Sequence, residues 1–183
     1  ALHAAVVDHG LRAGSSHEAE TVAGWLDQLG LAARVLCITS PKPRSGHQAW
    51  ARDQRYRLLA EAALNLSPDA MIVTAHHAGD QAETVAMRLM HHSGLHGLRG
   101  FGRETLHYGM RVTRPLHDMA LAVLHQTLAA TPFIKDPSND DRRFERVRIR
   151  QMLACAGNQL TGQHYRLADE ASSLHEHLSM ALA

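Results

Sequence analysis

Four ionisable side chains fall within eight residues of the stretch Met71-Ile72-Val73-Thr74-Ala75-His76-His77-Ala78-Gly79-Asp80-Gln81-Ala82-Glu83-Thr84. An apolar run ends in two histidines, a turn with Gly79 follows, and a helix opens with Asp80 and Glu83 in its first turn. Imidazoles and carboxylates at a strand-to-helix junction can move protons, hold a cation or meet a ligand's phosphate, because strand ends and helix N-termini converge there. Three readings are open. His76, His77 and Asp80 are possible zinc or manganese ligands, although their spacing is not the helical His-Glu-x-x-His of a zincin. In a purely structural reading, one histidine caps the helix and the other packs. In the third, the stretch is one wall of a ligand site.

Two further sets of residues carry chemistry. Arg52 and Arg55 lie three apart near a helix start. Arg142, Arg143, Arg146, Arg148 and Arg150 crowd nine residues, and the spacing predicts Arg143, Arg146 and Arg150 on one helical face. Such a stripe suits a phosphate backbone, or a solvated face paired with Asp136, Asp140, Asp141 and Glu145. The segment Gly94 to Gly102 holds four glycines. With no strand before it and no lysine or serine closing it, it reads as a flexible connection as readily as a phosphate cradle.

The elements that must position these residues follow from patterning. Residues 2–7 read as a buried strand ending at Asp8-His9-Gly10, and residues 33–38 as a second. Between them Ser15 and Glu18 have capping-box spacing and open a helix that Gly30 stops near Leu29. A proline-bearing loop, Thr39 to Gly46, precedes a helix from about His47 to Leu66. Residues 70–75 form the third strand and residues 80–91 the third helix. This β-α-β-α-β-α order with short connections predicts a parallel sheet with helices on both faces. Asp8-His9 and His76-His77 are then expected to face each other across a cleft at the strand ends. Beyond it, a strand is expected over 106–113, a helix over 118–130, a turn at Asp136–Asp140, an arginine helix over 142–150 and an amphipathic helix over 161–181. The expected organisation is one α/β domain over 1–157 and a helical tail or linker over 158–183.

The bulk composition sets the outer limits. At 183 residues with 45% hydrophobic content and a formal charge of +1, the chain can bury a sizeable core. No apolar run approaches membrane-spanning length and no signal-like segment opens the chain. Cys37 and Cys155 make no disulfide or zinc framework, which gives a reducing cytoplasm as the expectation. Lys42 and Lys135 are the only lysines among the basic residues. That arginine bias leans towards anionic partners, though genome base composition produces it as well.

Taken in order, the segments resemble the N-terminal domain of the tRNA(Ile)-lysidine synthetases, members of the PP-loop ATP pyrophosphatase superfamily. The resemblance rests on Val7-Asp8-His9-Gly10-Leu11-Arg12 with Ser16-x-Glu18-Ala19, on Ala51-Arg52-x-x-Arg55-Tyr56, and on Ala75-His76-His77-x-x-Asp80-Gln81-x-Glu83-Thr84. Ser93-Gly94-Leu95-x-Gly97-Leu98, Arg114-Pro115-Leu116, Asp136-Pro137-Ser138-Asn139 and Arg146-x-Arg148-Ile149-Arg150 complete it. It implies a Rossmann-like α/β fold that lacks its first strand and ends in a helical tail. It also implies adenylation by ATP of the wobble cytidine in a CAU-anticodon tRNA(Ile), then displacement of AMP by the amine of L-lysine.

In that scheme Arg52, Arg55, His76, His77 and Asp80 are catalytic, and Asp8, His9, Ala75 and Glu83 line the nucleotide. Asp80 holds Mg²⁺ or the lysine ammonium, and Arg114, Arg143, Arg146 and Arg150 meet tRNA phosphates. A homodimer is left open. Three departures accompany the resemblance. The superfamily's Ser-Gly-Gly-x-Asp-Ser loop is not among these residues, so the chain is expected to be N-terminally truncated. His91-His92 stands where the family usually has Arg-Gly, and Val147 where asparagine is common. Two other readings remain: another PP-loop tRNA-modifying enzyme such as a two-thiocytidine thiolase, whose cysteine spacing is lacking here, and an inactive remnant that binds RNA or a partner.

Overall fold

A computed structural model describes residues 1–181. The described residues form two compact units. The first comprises Ala1–Ile72, Leu106–Val112 and Pro132–Ile134; the second comprises Val73–Thr105, Thr113–Thr131 and the chain from Lys135 onward.

In the first unit, β1 (His3–Asp8) and β2 (Ala32–Cys37) pair in parallel, with His3 opposite Ala32 and Asp8 opposite Cys37. Helix α1 (Ser15–Gln28) crosses between them and packs on both strands, while α2 (His47–Leu66) packs on β1. This is the expected α/β arrangement of a parallel sheet flanked by helices. Parallel neighbours need such a crossover because a tight turn cannot return the chain to the same end. Gly30 ends α1 at φ 75°, where Leu31 N–H bonds Leu26 O and Gly30 N–H bonds Asp27 O. Those two bonds close a Schellman motif, whose left-handed position glycine fills without steric cost.

The capping box expected at Ser15 does not form. The N-cap is Gly14 and makes no side-chain cap bond. Ser15 and Ser16 instead donate their hydroxyls to Asp8, and Glu18 pairs with Arg12. A buried carboxylate without donors costs more than an open helix end that water can reach, so Asp8 takes the serines.

The third strand is short. β3 (Ile72–Val73) pairs with β5 (Met110–Thr113) and not with β1 or β2, and the sheet order is β3-β5-β4 with β4 at Glu104–His107. The single strand expected over 106–113 is thus a hairpin turning at Tyr108-Gly109, with φ of 51° and 75°. Both central residues at positive φ are what a tight two-residue hairpin turn requires. The first unit's core holds Tyr56, Ala60, Ala63, Ile72, Met110 and Val112.

The second unit is helical: α3 (Ala78–Met90), the four-residue α4 (Leu95–Leu98), α5 (Leu121–Thr127), α6 (Glu145–Ala156) and α7 (Asn158–Ala181). Ala82 and Ala86 of α3 pack against Ile149 and Leu153 of α6, with Met87 and Leu160 beside them. The small alanines let the two helices approach closely, and the apolar periodicity of α6 buries Val147 as well. Helix α7 lies against α3, α4 and α6 and buries Ala168 and Ala171. The helix expected over 161–181 therefore starts earlier and is docked through its middle, with Leu174, Leu178 and Met180 exposed beyond it; residues 182–183 lie outside the described residues. Helix α5 is shorter than the span of 118–130 expected for it, and α6 begins after Arg142 and Arg143.

Candidate active site

The junction of β3 and α3 is built by its own side chains. His77 is the N-cap of α3 in extended backbone; its Nδ1 accepts from Gly79 N–H at 3.0 Å, and Asp80 Oδ2 accepts from His77 N–H at 3.0 Å. This reciprocal pair is a capping box made with histidine, and it satisfies donors that a helix start otherwise leaves open. Gly79 is needed for it, since a Cβ there would sit 2.8 Å from the His77 ring. His76 does not cap. Its Nδ1 lies 2.9 Å from the Thr74 hydroxyl, and its ring tilts against Phe101 at 5.3 Å between centroids. Ala75 is exposed at the strand end.

Behind this cap lies a cluster of charges on α3 and α6. Arg146 donates to Asp80 Oδ1 at 2.8 Å and to Glu83 Oε2 at 2.5 Å, and Arg150 donates to Glu83 Oε1 at 2.6 Å. Glu83 is 5% exposed. A carboxylate so buried needs paired charge, and two guanidiniums supply it. In the solvated-face reading of these arginines the partners are the nearby acids. The real partners stand more than sixty residues earlier, while Glu145 takes His91 at 2.8 Å and Asp140 takes Lys135.

The arginines expected on one helical face do not share it. Arg143 lies ahead of α6 and is held by Asp141, with its side chain 87% exposed. Arg114 is 1% exposed; its Nη1 donates to Gly102 O and to the Thr105 hydroxyl, and its guanidinium lies over the Phe101 ring. That burial removes Arg114 from the surface where a polynucleotide phosphate could reach it. Both oxygens of Asp80 and both of Glu83 are met by N–H donors, and among the described residues no group of three or more His, Cys, Asp or Glu side chains could hold a metal ion. The metal-centre reading of His76, His77 and Asp80 finds no support in that geometry.

In the first unit, Asp8 ends β1 as the hub of a small network. It accepts from Ser15 at 2.6 Å, Ser16 at 2.5 Å and Gly10 N–H at 2.9 Å. Burial alone would raise its pKa, but the two hydroxyls, the Gly10 N–H and the neighbouring His9 outweigh that and hold it below the usual carboxylate value. Arg52 reaches the Tyr56 hydroxyl at 3.4 Å with its guanidinium 5.0 Å from the ring centroid, and Tyr56 in turn stacks on His107. Arg52 and Arg55 are both exposed. Asp8, His9, Arg52 and Arg55 thus belong to one unit, and His76, His77, Asp80 and Glu83 to the other. The facing of Asp8-His9 and His76-His77 across a cleft is part of neither unit's internal geometry.

Gln81 escaped the sequence reading. It is 3% exposed, donates from Nε2 to Arg99 O at 2.9 Å and accepts from Phe101 N–H at 2.9 Å. It pins the glycine-rich segment, which is therefore a held loop with one helical turn and not a loose connection.

Comparison with known proteins places this geometry. A family model described as a PP-loop domain matches residues 1–156. A tRNA(Ile)-lysidine synthase of Rhodopseudomonas palustris is 45% identical over 155 residues, which cover 84% of this chain and 44% of that protein. One of Mesorhizobium japonicum is 41% identical over 180 residues, covering 93% of this chain and 39% of its own length. The chain thus spans less than half the length of these curated relatives. Among solved structures, the U34-tRNA thiolase NcsA of Methanococcus maripaludis, with its [4Fe-4S] cluster, superposes with a TM-score of 0.73 at 15% identity, covering 96% of this chain and 63% of that one. That likeness concerns the fold.

Proposed function

The chain belongs to the PP-loop domain family, and from that membership we propose that it forms the nucleotide-handling part of a tRNA(Ile)-lysidine synthase. The reaction is adenylation of the wobble cytidine of a CAU-anticodon tRNA(Ile) by ATP with release of pyrophosphate. Attack by the amine of L-lysine then releases AMP. The observation that carries the reading is the 45% identity, over 155 residues, to a relative of that name.

The residues supply what such a reaction needs. A carbonyl oxygen is a weak nucleophile, so the α-phosphate must be held in line and the negative charge that builds up must be offset. His76 at the end of β3, with Arg52 and Arg55, are the groups we assign to the phosphates, and Asp8, His9 and Ala75 to the nucleotide. His77 is assigned to fixing the start of α3. Asp80, more exposed than Glu83, is the carboxylate we assign to the lysine ammonium, and Glu83 is assigned to supporting it through Arg146, which the two carboxylates share, with Arg150 on the other oxygen of Glu83. Arg143, exposed ahead of α6, is the arginine we assign to tRNA phosphate. Mg²⁺, where it takes part, would be carried by the ATP phosphates and not by Asp80. We place the reaction in the cytoplasm; no helix of the described residues is long and apolar enough to cross a membrane.

The test is pyrophosphate release. With ATP and the CAU-anticodon tRNA, a form of the protein that carries the phosphate-binding loop should release pyrophosphate, and adding L-lysine should sustain turnover. Release that is indifferent to the tRNA, or absent with all three present, would count against the proposal.

A further inference from the structure

We propose that the loop of residues 39–46 and the tip of the β4–β5 hairpin form an RNA-binding surface beside α2, where Lys42 and Arg44 take tRNA phosphates and the Tyr108 ring stacks on an unpaired base. The inference deepens the functional reading above and rests on it for the identity of the RNA. Its starting point is the placement of charge. Residues 39–57 hold five cations, Lys42, Arg44, Arg52, Arg55 and Arg57, against one carboxylate, Asp53, in a chain whose formal net charge is only +1. Lys42 and Arg44 are exposed, and neither has a carboxylate partner among the described residues. Arg146 and Arg150, by contrast, are committed to Asp80 and Glu83. Cations left without acids are the groups that a polynucleotide backbone recruits.

Three segments distant in sequence are fastened together here, all within the first unit. The Ser40 hydroxyl donates to Gln54 Oε1 at 2.9 Å, and His47 Nε2 lies 2.9 Å from Pro43 O, so the loop is tied on both sides of Lys42. Pro41 and Pro43 restrict the backbone at the same two places. Lys42 and Arg44 are therefore presented from a held loop, which leaves less ordering to be done when a phosphate arrives. One residue before Gln54 on α2, Asp53 Oδ1 accepts from the Tyr108 hydroxyl at 2.5 Å, and Gln54 Nε2 donates to Asp53 Oδ2 at 3.3 Å. Arg57 donates to Gln54 Oε1 at 3.2 Å and to Glu61 at 2.6 Å. The loop and the hairpin tip are thus joined through neighbouring side chains of α2, and the one carboxylate among them is already engaged. Tyr108 stands at φ 51°, a turn position that glycine, asparagine or aspartate fills at less cost. It is 50% exposed although its hydroxyl is held. An anchored aromatic ring beside cations without acid partners is the combination with which proteins hold unpaired bases and the phosphates between them.

The probe is a fluorescent stem-loop RNA with a CAU anticodon loop, read by anisotropy against the 183-residue chain at several salt concentrations, without ATP or lysine. Lys42→Ala and Arg44→Ala should each weaken binding and reduce the slope of log affinity against log salt by about one. Tyr108→Ala should weaken stem-loop binding about tenfold and leave binding of a fully paired duplex of equal length within about twofold. Tyr108→Phe keeps the ring and loses the Asp53 bond, and should bind within about threefold of the wild type. No binding by the wild-type chain at low salt overturns the proposal, as does wild-type affinity and slope in both cation variants. A Tyr108→Ala variant that loses stem-loop and duplex alike also overturns it. So does polyglutamate that displaces the stem-loop as well as RNA of equal charge, which would point to an acidic polypeptide. If Tyr108→Ala does not fold, ultraviolet crosslinking of the wild-type chain decides the matter. Crosslinks at Tyr108 or in residues 39–46 uphold the surface, and crosslinks confined to other residues overturn it. Stem-loop binding through these residues, in a protein whose loop-bearing form makes no lysine adduct, would uphold the surface and count against the functional reading. Adduct formation with stem-loop affinity unchanged in every variant would do the reverse.

Discussion

Asp80 and Glu83 sit one helical turn apart, yet their surroundings assign them different work. Glu83 is buried with both oxygens on guanidiniums, so Glu83→Gln leaves Arg146 and Arg150 facing a group without charge. Removing one member of a buried pair costs about 3–5 kcal/mol. Here the arginine side chains are 33% and 43% exposed and water recovers part of that, so about 2–3 kcal/mol is expected in urea denaturation. Asp80 is more exposed and makes the His77 cap. Asp80→Asn keeps one acceptor for that cap and should leave stability within about 1 kcal/mol. It should nevertheless abolish lysine-dependent AMP release; near-normal turnover would remove Asp80 from the ammonium-binding role. The sequence made these residues conspicuous through their types and spacing. It did not reveal their partners, because Arg146 and Arg150 come to Glu83 from more than sixty residues away and nearer acids competed for the assignment.

At the scale of elements, helix ends decide most of what departed from expectation. The end of α3 repeats the Schellman pattern of α1: Ser93 N–H bonds Arg88 O, and His92 N–H bonds Leu89 O. The left-handed position, however, is filled by His92 at φ 52°. This is the second member of the His91-His92 pair that stands where Arg-Gly is usual. His91 meanwhile lies with its Nε2 2.8 Å from Glu145 Oε1, so the first histidine of the pair has a partner while the second takes a backbone position suited to glycine. A side chain in that region costs about 1 kcal/mol relative to glycine. His92→Gly should therefore raise the melting temperature or leave it unchanged, whereas Gly30→His should lower it.

The pH dependence of stability belongs here too. Asp8 titrates below its ordinary 3.8 in the folded chain, so its contribution is complete above about pH 4 and is lost as pH falls through the lower folded value. His117 is depressed from 6.5, chiefly by burial; the Phe101 carbonyl opposes this, while the cations of Arg103 and Arg114 reinforce it against Asp169. Its contribution is complete above about pH 6.5 and declines as pH falls below that. Unfolding free energy should thus fall in two stages on acidification, and Asp8→Asn should flatten only the more acidic one. A single stage unchanged in that variant would contradict the Asp8 assignment. The strand–helix alternation was readable because its apolar periodicity is strong. The caps were not, because histidine is an unusual N-cap and because Asp8 draws Ser15 away from the helix it was expected to begin. The hairpin at Tyr108-Gly109 was hidden by alternation that continues on both sides of the turn, with Gly109 as its one local sign.

The whole molecule is an α/β chain of the PP-loop family, and each of its two compact units carries its own candidate residues. The family was legible because seven short motifs occur in order, a pattern that survives errors in any single boundary. Less of the site was legible: the burial of Arg114 on Gly102 and Thr105, and the hold of Gln81 on the glycine-rich loop, depend on contacts that only the fold brings together. The central claim, that this chain serves lysidine formation, is tested most directly on the product. A CAU-anticodon tRNA(Ile) incubated with a form of the protein that carries the phosphate-binding loop, ATP and L-lysine, then digested to nucleosides and weighed by mass spectrometry, should show the wobble cytidine replaced by its lysine adduct. A wobble cytidine left unmodified with all three substrates present would contradict the account.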